Sequence, residues 1–590
     1  METARPVAQR KSIMPKFVAF TSLGRKALPN QFDLLSLAFV FAVLIAVVHA
    51  SKGAMLPLKA PGATDIHLAL QYLPYYALRT TLRMFIALGF SLLFTFTYAT
   101  LAAKSRRAEV VMIPLLDVLQ SVPILGFLAF LVVFFVNLFP GSVLGYEAAC
   151  IFAIFTSQAW NMAFSFYQSL RSVPADLVEV TRGFNLTPWQ RFWQLETPFA
   201  MPGLIWNMMM SMSGGWFFVV ASEAIAVGDN TTKLPGIGSY IDLANSRSDY
   251  GAVVAAVVTM ALVILAYDQL LFRPLVAFSS RFRMELLASQ QQERSWVMDL
   301  FMQTRWLRPL MMIPARAFQR MALLRLRLPV RARRHERSDA PPSRLADAIF
   351  YLAVAAVGAY SIWQVVRYVS TAVTWSDVLH VAVLSFYTLI RVFVLIVIAT
   401  IVWVPVGVWI GLRPKLAQVV QPLAQFLAAF PANVVFPLAV LLLVSFKLNP
   451  NIWLSVLIIF GTQWYILFNV IAGAQAYPTD LKEAARSFSI RGWDWWIKVM
   501  IPGIFPFYVT GALTASGGSW NAAIVAEYVK AGDHTEVAQG IGSYIAIATE
   551  KGNFQQIVLG VAVMSIFVIV FNRLLWRPLF GLAERRLRLA

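Results

Sequence analysis

Cysteine and charge are both scarce in this sequence. Cysteine occurs once in 590 residues, at Cys150, which excludes an intramolecular disulfide, a thiolate metal cage and an iron–sulfur cluster. Charged residues make up 13% of the chain, whereas soluble domains average about 25%. Apolar residues make up 59% and occur in long runs, so the composition predicts a membrane protein. We interpret Cys150 as a packing residue.

Several motifs of catalysis are also missing. No Gly-x-x-x-x-Gly-Lys-[Ser/Thr] occurs, so the chain lacks the usual nucleotide-binding loop. His335-Glu336 has no second histidine at helical spacing and is not a zinc protease motif. Ser213-Gly-Gly and Ser516-Gly-Gly lie in apolar segments, where small residues allow close helix packing. We therefore expect no enzyme activity, no metal and no cofactor bound by this chain.

Apolar runs of about 20 residues predict twelve transmembrane helices in an all-α polytopic fold. The first six lie near 32–50, 77–103, 110–137, 146–170, 199–227 and 251–272. The second six lie near 347–367, 381–411, 416–446, 451–475, 503–529 and 553–576.

The two sets are copies of one unit. At an offset of 304 residues, Trp, Pro, Glu and Arg positions recur without a gap: Pro174 and Pro478, Trp189 and Trp493, Pro198 and Pro502, and Gly236-Ile-Gly-Ser-Tyr240 and Gly540-Ile-Gly-Ser-Tyr544. Upstream the offset is 308: Thr80 and Thr388, Pro114 and Pro422, and Pro123 and Pro431. Chance similarity between apolar helices would match Leu and Val instead, so the pattern indicates a duplication.

Basic residues predict the orientation of both copies. The net charge of +20 comes from arginines and lysines that flank the apolar runs, which is typical of membrane orientation signals and not of nucleic-acid binding. The segment 273–345 has fifteen arginines and five acidic residues. We therefore place this linker, the 1–31 tail and the 577–590 tail in the cytoplasm, with parallel six-helix repeats at 32–272 and 346–576. Residues 228–250 and 530–552 then face outside.

The linker has two possible interpretations. Aromatic and apolar residues alternate there with arginines, which indicates amphipathic helices at the membrane surface in contact with lipid. The composition of residues 331–342 favours a partly disordered tether instead.

A polar loop between spans four and five occurs in both copies, at 171–197 and 476–500. Pro174 and Pro478 suit the first turn of a helix, and Asp176 and Asp480 complement its positive end. A second short helix should carry Trp189 or Trp493 and precede the next proline. Such a helix-turn-helix would present a compact surface to a cytoplasmic partner.

These loops resemble the "EAA" loop of ABC importer permeases. The resemblance is carried by Glu483-Ala-Ala-Arg-Ser-Phe-Ser with Pro502 nineteen residues after the glutamate, and more weakly by Glu179-Val-Thr-Arg-Gly-Phe-Asn with Pro198. Thr-x-x-Arg at Thr80 and Thr388, prolines at 123 and 431, and Glu223 and Glu527 are similar to the nitrate, sulfonate and taurine branch.

The resemblance implies a type I importer permease fold in the bacterial inner membrane. The loops would be coupling helices that dock on two separate ATP-binding subunits, which bind ATP and Mg. An extracytoplasmic solute-binding protein is a further possible partner, and nucleic acid is not expected. The implied coupling residues are Asp176, Glu179, Arg182, Phe184, Asp480, Glu483, Ala484, Ala485, Arg486 and Phe488. Asn185 and Ser489 replace a glycine with left-handed backbone, so we expect the two loops to dock unequally.

Ionisable side chains within spans predict a functional or bracing role. Arg83 and Arg391 lie about one turn inside span two, and Glu223 and Glu527 lie near the outer end of span five. These opposite charges can pair within each copy as a helix brace, or the arginines can attract an anion to a central path. Trp216 and Trp520 either line that path or pack in the core.

The predicted function is therefore a permease that imports a small, anionic solute by alternating access, driven by a separate ATPase. The alternatives are an ion-gradient-driven secondary transporter with repeats and a non-transporting scaffold or channel.

Overall fold

The computed structural model describes residues 31–54, 56–58, 65–121, 124–224, 233–279, 295–304, 307–325, 344–429, 432–477, 479–531 and 534–586. Most of these described residues are helical, because long apolar segments satisfy their backbone hydrogen bonds best within a helix.

Nine helices are found in the described part of the first repeat. They are α1 (Gln31–Ala54), α2 (Leu70–Lys104), α3 (Arg106–Ser121), α4 (Ile124–Leu138), α5 (Leu144–Arg171), α6 (Ala175–Gly183), α7 (Pro188–Glu223), α8 (Ile237–Ser246) and α9 (Tyr250–Ser279). The linker contributes α10 (Trp296–Gln303) and α11 (Leu307–Leu323).

The second repeat follows the same order. Its helices are α12 (Arg344–Val369), α13 (Trp375–Gly411), α14 (Pro414–Ala429), α15 (Phe436–Ser445), α16 (Pro450–Phe460), α17 (Gln463–Ala476), α18 (Thr479–Ser487), α19 (Gly492–Ala526), α20 (Ile541–Glu550) and α21 (Phe554–Ala583). A 3₁₀ turn at Ala432–Val435 precedes α15. Strands β1 (Tyr528–Ala531) and β2 (His534–Val537) pair antiparallel, with Tyr528 opposite Val537. The all-α expectation was therefore wrong at this hairpin.

Eight of the described helices are long and apolar enough to cross a membrane. They are α2, α5, α7, α9, α12, α13, α19 and α21. Two bent pairs, α3 with α4 and α16 with α17, raise the number to ten. The remaining two predicted spans coincide with α1 and with α14 plus α15, and the total of twelve stays a prediction.

Two predicted spans are bent instead of straight. Helices α3 and α4 meet at 99°, where the sequence has Val122-Pro123, and a proline disfavours helix at the residue before it. Helices α16 and α17 meet at 42° around Gly461 and Thr462. The Thr462 and Ser519 hydroxyls lie 3.0 Å apart, which ties this bend to α19.

The second loop helix of each copy is continuous with span five, where the sequence predicted a separate short helix. In α7 a π-helical turn at Phe192–Glu196 joins the loop part to the span, and α19 has the equivalent turn at Trp496–Met500. Helices α9 and α21 also have matching π turns, at Asp268–Phe272 and Asn572–Trp576. The loop and the span therefore form one mechanical unit.

The two repeats interlock through their third spans. Helix α4 of the first repeat packs against α19, α20 and α21 of the second, and α14 packs against α7 and α9. Ile124, Leu125 and Leu128 of α4 consequently belong to the apolar core of the second repeat. Asn521 Oδ1 also accepts a 2.8 Å hydrogen bond from the backbone N–H of Ile124 at the start of α4.

Candidate functional sites

The first polar loop folds as an exposed helix followed by a tight left-handed turn. Pro174 lies just before α6 and Asp176 lies in its first turn. Asn185 has φ 52°, so the left-handed backbone predicted at this position is confirmed. Glu179 and Arg182 are exposed, and Phe184 is 70% exposed. An apolar ring of this size facing solvent is a candidate contact for a partner.

The second loop repeats this geometry with α18. Ser489 has φ 54°, as predicted, and its N–H donates to the Arg486 carbonyl at 3.0 Å. Phe488 is 78% exposed, Glu483 and Arg486 are exposed, Ala484 is half-buried, and Ala485 is buried. Pro478 and the Asp480 side chain lie outside the described residues.

The two loops differ behind their exposed faces. The Lys482 ammonium lies 6.0 Å from the Tyr477 ring centre, and partial burial lowers the pKa of Lys482, with Arg486 adding repulsion. The first loop has Val178 and Val173 at these positions. The two loops therefore differ in the side chains behind their exposed helices.

A second site is buried between the helices of the first repeat. Arg83 Nε and Nη2 donate to Glu147 at 2.6 and 2.7 Å, and Nη1 donates to Glu223 Oε1 at 2.5 Å. Arg79 also pairs with Glu147, and its Nη1 donates to the Tyr75 hydroxyl at 2.8 Å. These four charged residues are at most 2% exposed. We call Arg79, Arg83, Glu147 and Glu223 the first charge cluster.

Glu223 also holds the start of α8. Its Oε2 accepts from the Gly238 N–H at 2.8 Å, and its Oε1 accepts from the Thr80 hydroxyl at 2.7 Å. Thr80 Oγ1 in turn accepts from the Ile237 N–H at 3.0 Å. A Cβ at Gly236 would overlap the carboxylate, which explains the glycine there. The carboxylate therefore satisfies orphan donors of a helix N-terminus and complements its dipole.

The second repeat has a simpler version, the second charge cluster of Arg391, Glu527 and Asn451. Arg391 Nη1 donates to Glu527 Oε1 at 2.9 Å, and Nη2 donates to Asn451 Oδ1 at 3.2 Å. Glu527 accepts from the Thr388 hydroxyl and the Gly542 N–H, each at 2.8 Å. The same four helical elements are therefore joined in both copies.

Helix α2 begins at Leu70, thirteen residues before Arg83, which is about 20 Å along the helix axis. The helix therefore starts before the apolar run at 77–103, and the depth of Arg83 within the span stays a prediction. Glu223 is the last residue of α7, as a position near a span end requires.

The two tryptophans pack in the core. Trp216 and Trp520 are fully buried. Trp216 Nε1 donates to the Tyr267 hydroxyl at 3.0 Å, whereas Trp520 Nε1 has no hydrogen-bond partner among the described residues. Phe571 stands at the position equivalent to Tyr267 and carries no hydroxyl.

Sequence reasoning missed Arg79, Glu147 and Asn451. The presence of Arg79 and Glu147 in an apolar segment was a usable signal, because buried ionisable residues require partners. Arg79 and Glu147 were overlooked because the second repeat has a different, uncharged residue at each equivalent position. Tyr387 corresponds to Arg79, and Asn451 corresponds to Glu147. Cys150 is buried as predicted, 3.0 Å from the Ser222 hydroxyl. Within the described ranges, no three His, Cys, Asp or Glu residues are grouped for a metal.

The fold and these sites define a polytopic helical membrane protein built from two interlocked repeats. Residues 95–273 and again 403–588 match the binding-protein-dependent transport system inner membrane component family. The two matches start 308 residues apart (403 − 95), which is the upstream offset of the repeats. This chain belongs to that family.

Curated relatives match about a third of the chain. The bicarbonate transport system permease protein CmpB of Synechococcus elongatus is 32% identical over 177 residues, 30% of this chain and 60% of the relative. The nitrate import permease protein NrtB of Leptolyngbya laminosa is 29% identical over 185 residues, 31% of this chain and 62% of the relative. The glycine betaine/carnitine transport permease protein GbuB of Listeria monocytogenes is 30% identical over 174 residues, 28% of this chain and 54% of the relative. The chain thus spans about three-fifths or less of these relatives' lengths.

Proposed function

We propose that this chain is the permease of an ATP-driven ABC importer, with two six-span halves in one polypeptide. The carrying observation is the duplicated surface helix, α6 and α18, which exposes Phe184 and Phe488 at the same offset of 304. A membrane protein without cytoplasmic partners has no need for two such apolar projections. Each helix docks on one ATP-binding subunit, and that subunit binds the ATP and Mg.

Continuity of the loop with span five supports a mechanical role. Because α7 and α19 run from the loop into the membrane core, a push on the loop moves the whole span. Spans α7 and α19 end at Glu223 and beside Glu527, so the motion reaches the charge clusters at the far end. Alternating access then follows from movement of these two units against the interlocked helices α4 and α14.

The charge clusters serve as helix braces in this proposal. All three nitrogens of Arg83 are occupied by carboxylates, and the first charge cluster is neutral by formal charge. An arginine whose guanidinium nitrogens all donate to carboxylates attracts a further anion only weakly. We therefore assign Arg83, Glu223, Arg391 and Glu527 to bracing, with Trp216 and Trp520 as packing residues.

The proposed solute is a small anion. The bicarbonate and nitrate permeases among the relatives favour this class, and they favour ATP-driven import over an ion-gradient-driven secondary transporter. We place the chain in the bacterial inner membrane, with both termini cytoplasmic and a solute-binding protein on the outer side. Twelve spans, including α1 and the α14–α15 segment, satisfy this orientation.

The test is gentle purification of the tagged chain from its native membrane, with quantification of the proteins that accompany it. We expect two ATP-binding subunits per chain and ATP-dependent uptake of nitrate or bicarbonate in proteoliposomes, with glycine betaine as the control solute. Changing Glu483 and Phe488 to Ala should release or weaken one ATPase. A solitary chain that moves the anion along an ion gradient would overturn the proposal.

A further inference from the structure

The linker helix α11 is bound to the first cytoplasmic loop through hydrogen bonds. Trp189 Nε1 donates to the Met321 carbonyl at 2.8 Å, and Gln190 Nε2 donates to the Leu323 carbonyl at 3.0 Å. Both carbonyls lie in the last turn of α11, where backbone acceptors lack the usual partner four residues on; the Met321 carbonyl also accepts from the Leu324 N–H at 3.2 Å. The first residues of α7 therefore satisfy the free end of the linker helix.

An aromatic contact adds to these bonds. The Phe318 ring meets Trp193 edge-on at a centroid distance of 5.0 Å. Trp193 in turn packs on Phe192 and Phe96, so the contact extends to α2. Ala322 of α11 is 7% exposed. The linker helix therefore packs against the loop through hydrogen bonds and an aromatic contact.

Among the described residues, nothing supports the second loop in the same way. Trp493, which corresponds to Trp189, is 78% exposed. Asp494 replaces Gln190 and pairs with Lys498 at 2.9 Å, and Ile497 replaces Trp193 and is exposed. The two loops share their helix and turn but not their surroundings.

We propose that α11 is a strap that positions the first coupling loop, with Trp189 and Phe318 as positioning residues. Only Phe184–Thr187 separate α6 from α7, and the Thr187–Gln190 capping box fixes the start of α7. Holding Trp189 and Gln190 in place therefore restrains the C-terminal end of α6. The first ATP-binding subunit then meets a held loop and the second meets a free one. This inference rests on the proposed function.

A strap differs from a tether in what it requires. A tether between two repeats needs length alone, whereas a strap needs the contacts of Phe318 and Trp189. A protease recognition sequence inserted within residues 326–343, which follow α11, would distinguish a strap from a tether. Cleavage there abolishes tethering and leaves α11 on the loop.

The experiment compares amide hydrogen exchange of residues 175–187 with that of 479–491 in the purified full chain. We expect exchange in the first segment to be at least about fivefold slower, the factor given by about 1 kcal/mol of one hydrogen bond. The double variant Trp189→Phe, Phe318→Ala should remove this difference. Ile313→Ala, on the same helix at a 62% exposed position, is the matched control and should keep it.

A functional readout uses the complex with its ATPase in proteoliposomes. The double variant should raise the ATP hydrolysed per anion imported, whereas Ile313→Ala and cleavage within 326–343 should leave this ratio unchanged. Trp493→Phe should raise the ratio less than Trp189→Phe does.

Equal exchange of the two segments in the unmodified chain, or exchange insensitive to the double variant, would overturn the strap. Absence of ATP-dependent uptake by the unmodified complex would overturn the proposed function instead, and the exchange comparison would still decide on the strap.

Discussion

The first charge cluster buries two arginines and two glutamates, whereas the second has one buried glutamate together with one half-buried arginine and one half-buried asparagine. At the repeat offsets Arg79 corresponds to Tyr387 and Glu147 to Asn451. One positive and one negative charge have therefore been exchanged together, and each cluster remains neutral by formal charge. A buried pair replaced as a unit is tolerated far better than one partner removed alone. The comparison shows that charge balance, and not the identity of each residue, constrains this part of the fold.

Removing one partner should break the balance and give the largest effect. Glu147→Asn leaves Arg79 and Arg83 facing Glu223 alone, so one buried positive charge loses its partner. We expect a loss of about 3–5 kcal/mol in the free energy of unfolding. Thermal unfolding in detergent measures it, with Asn451→Ala as the matched and smaller change. Equal losses for the two variants would contradict the argument.

Converting the whole cluster should restore much of that stability. The double variant Arg79→Tyr, Glu147→Asn gives the first repeat the residues of the second repeat. We expect it to recover about half or more of the loss caused by Glu147→Asn, since coupled neighbours deviate from additivity by up to about 3 kcal/mol. A complete double-mutant cycle with Arg79→Tyr alone gives the coupling energy. Simple additivity of the two losses would count against charge balance as the constraint.

The tryptophan pair offers a smaller test of the same comparison. Trp216 donates to Tyr267, and Trp520 has Phe571 in that place. Tyr267→Phe should cost about 1 kcal/mol by leaving a buried indole N–H unpaired. Phe571→Tyr should stabilise the second repeat by up to a similar amount. Unfolding measurements on both variants check the opposite signs.

The β1–β2 hairpin gives the smallest effect. Glu550 accepts from Tyr528 and Lys530, each at 2.5 Å, and the hydrogen bond from Lys530 lowers the pKa of Glu550. The pairing stabilises the hairpin at pH values above the usual pKa of glutamate. This stabilisation is lost as the pH falls through the lowered pKa. Because both side chains are about half exposed, Glu550→Gln should cost less than about 1 kcal/mol. Amide exchange of β1 and β2 at neutral and acid pH measures it. Ser246 occupies this position in the first repeat, so residues 237–246 should show no such pH dependence.

The sequence was informative where the two copies agree. Matching residues identified the loops and the pairs Arg83 with Glu223 and Arg391 with Glu527, and the family resemblance predicted the left-handed backbone at Asn185 and Ser489. Arg79, Glu147 and the contacts of α11 occur in one copy only. The hairpin packs against α15 of its own repeat, a tertiary contact that spacing along the chain does not predict, and the bend between α3 and α4 falls at a proline inside a segment that the sequence predicts as one straight span. A comparison of repeats therefore predicts the inherited framework and misses what each copy added.

The four matching π turns limit how the two halves can change length. A π turn accommodates an extra residue without changing the helix face downstream, whereas deleting one residue elsewhere in the span would rotate everything downstream by about 100°. In α7 that rotation would turn Trp216 and Glu223 away from their partners, and in α19 it would do the same to Trp520 and Glu527. These spans can therefore diverge by substitution far more easily than by insertion or deletion. A chimera that exchanges segments between the halves should keep 192–196 and 496–500 intact.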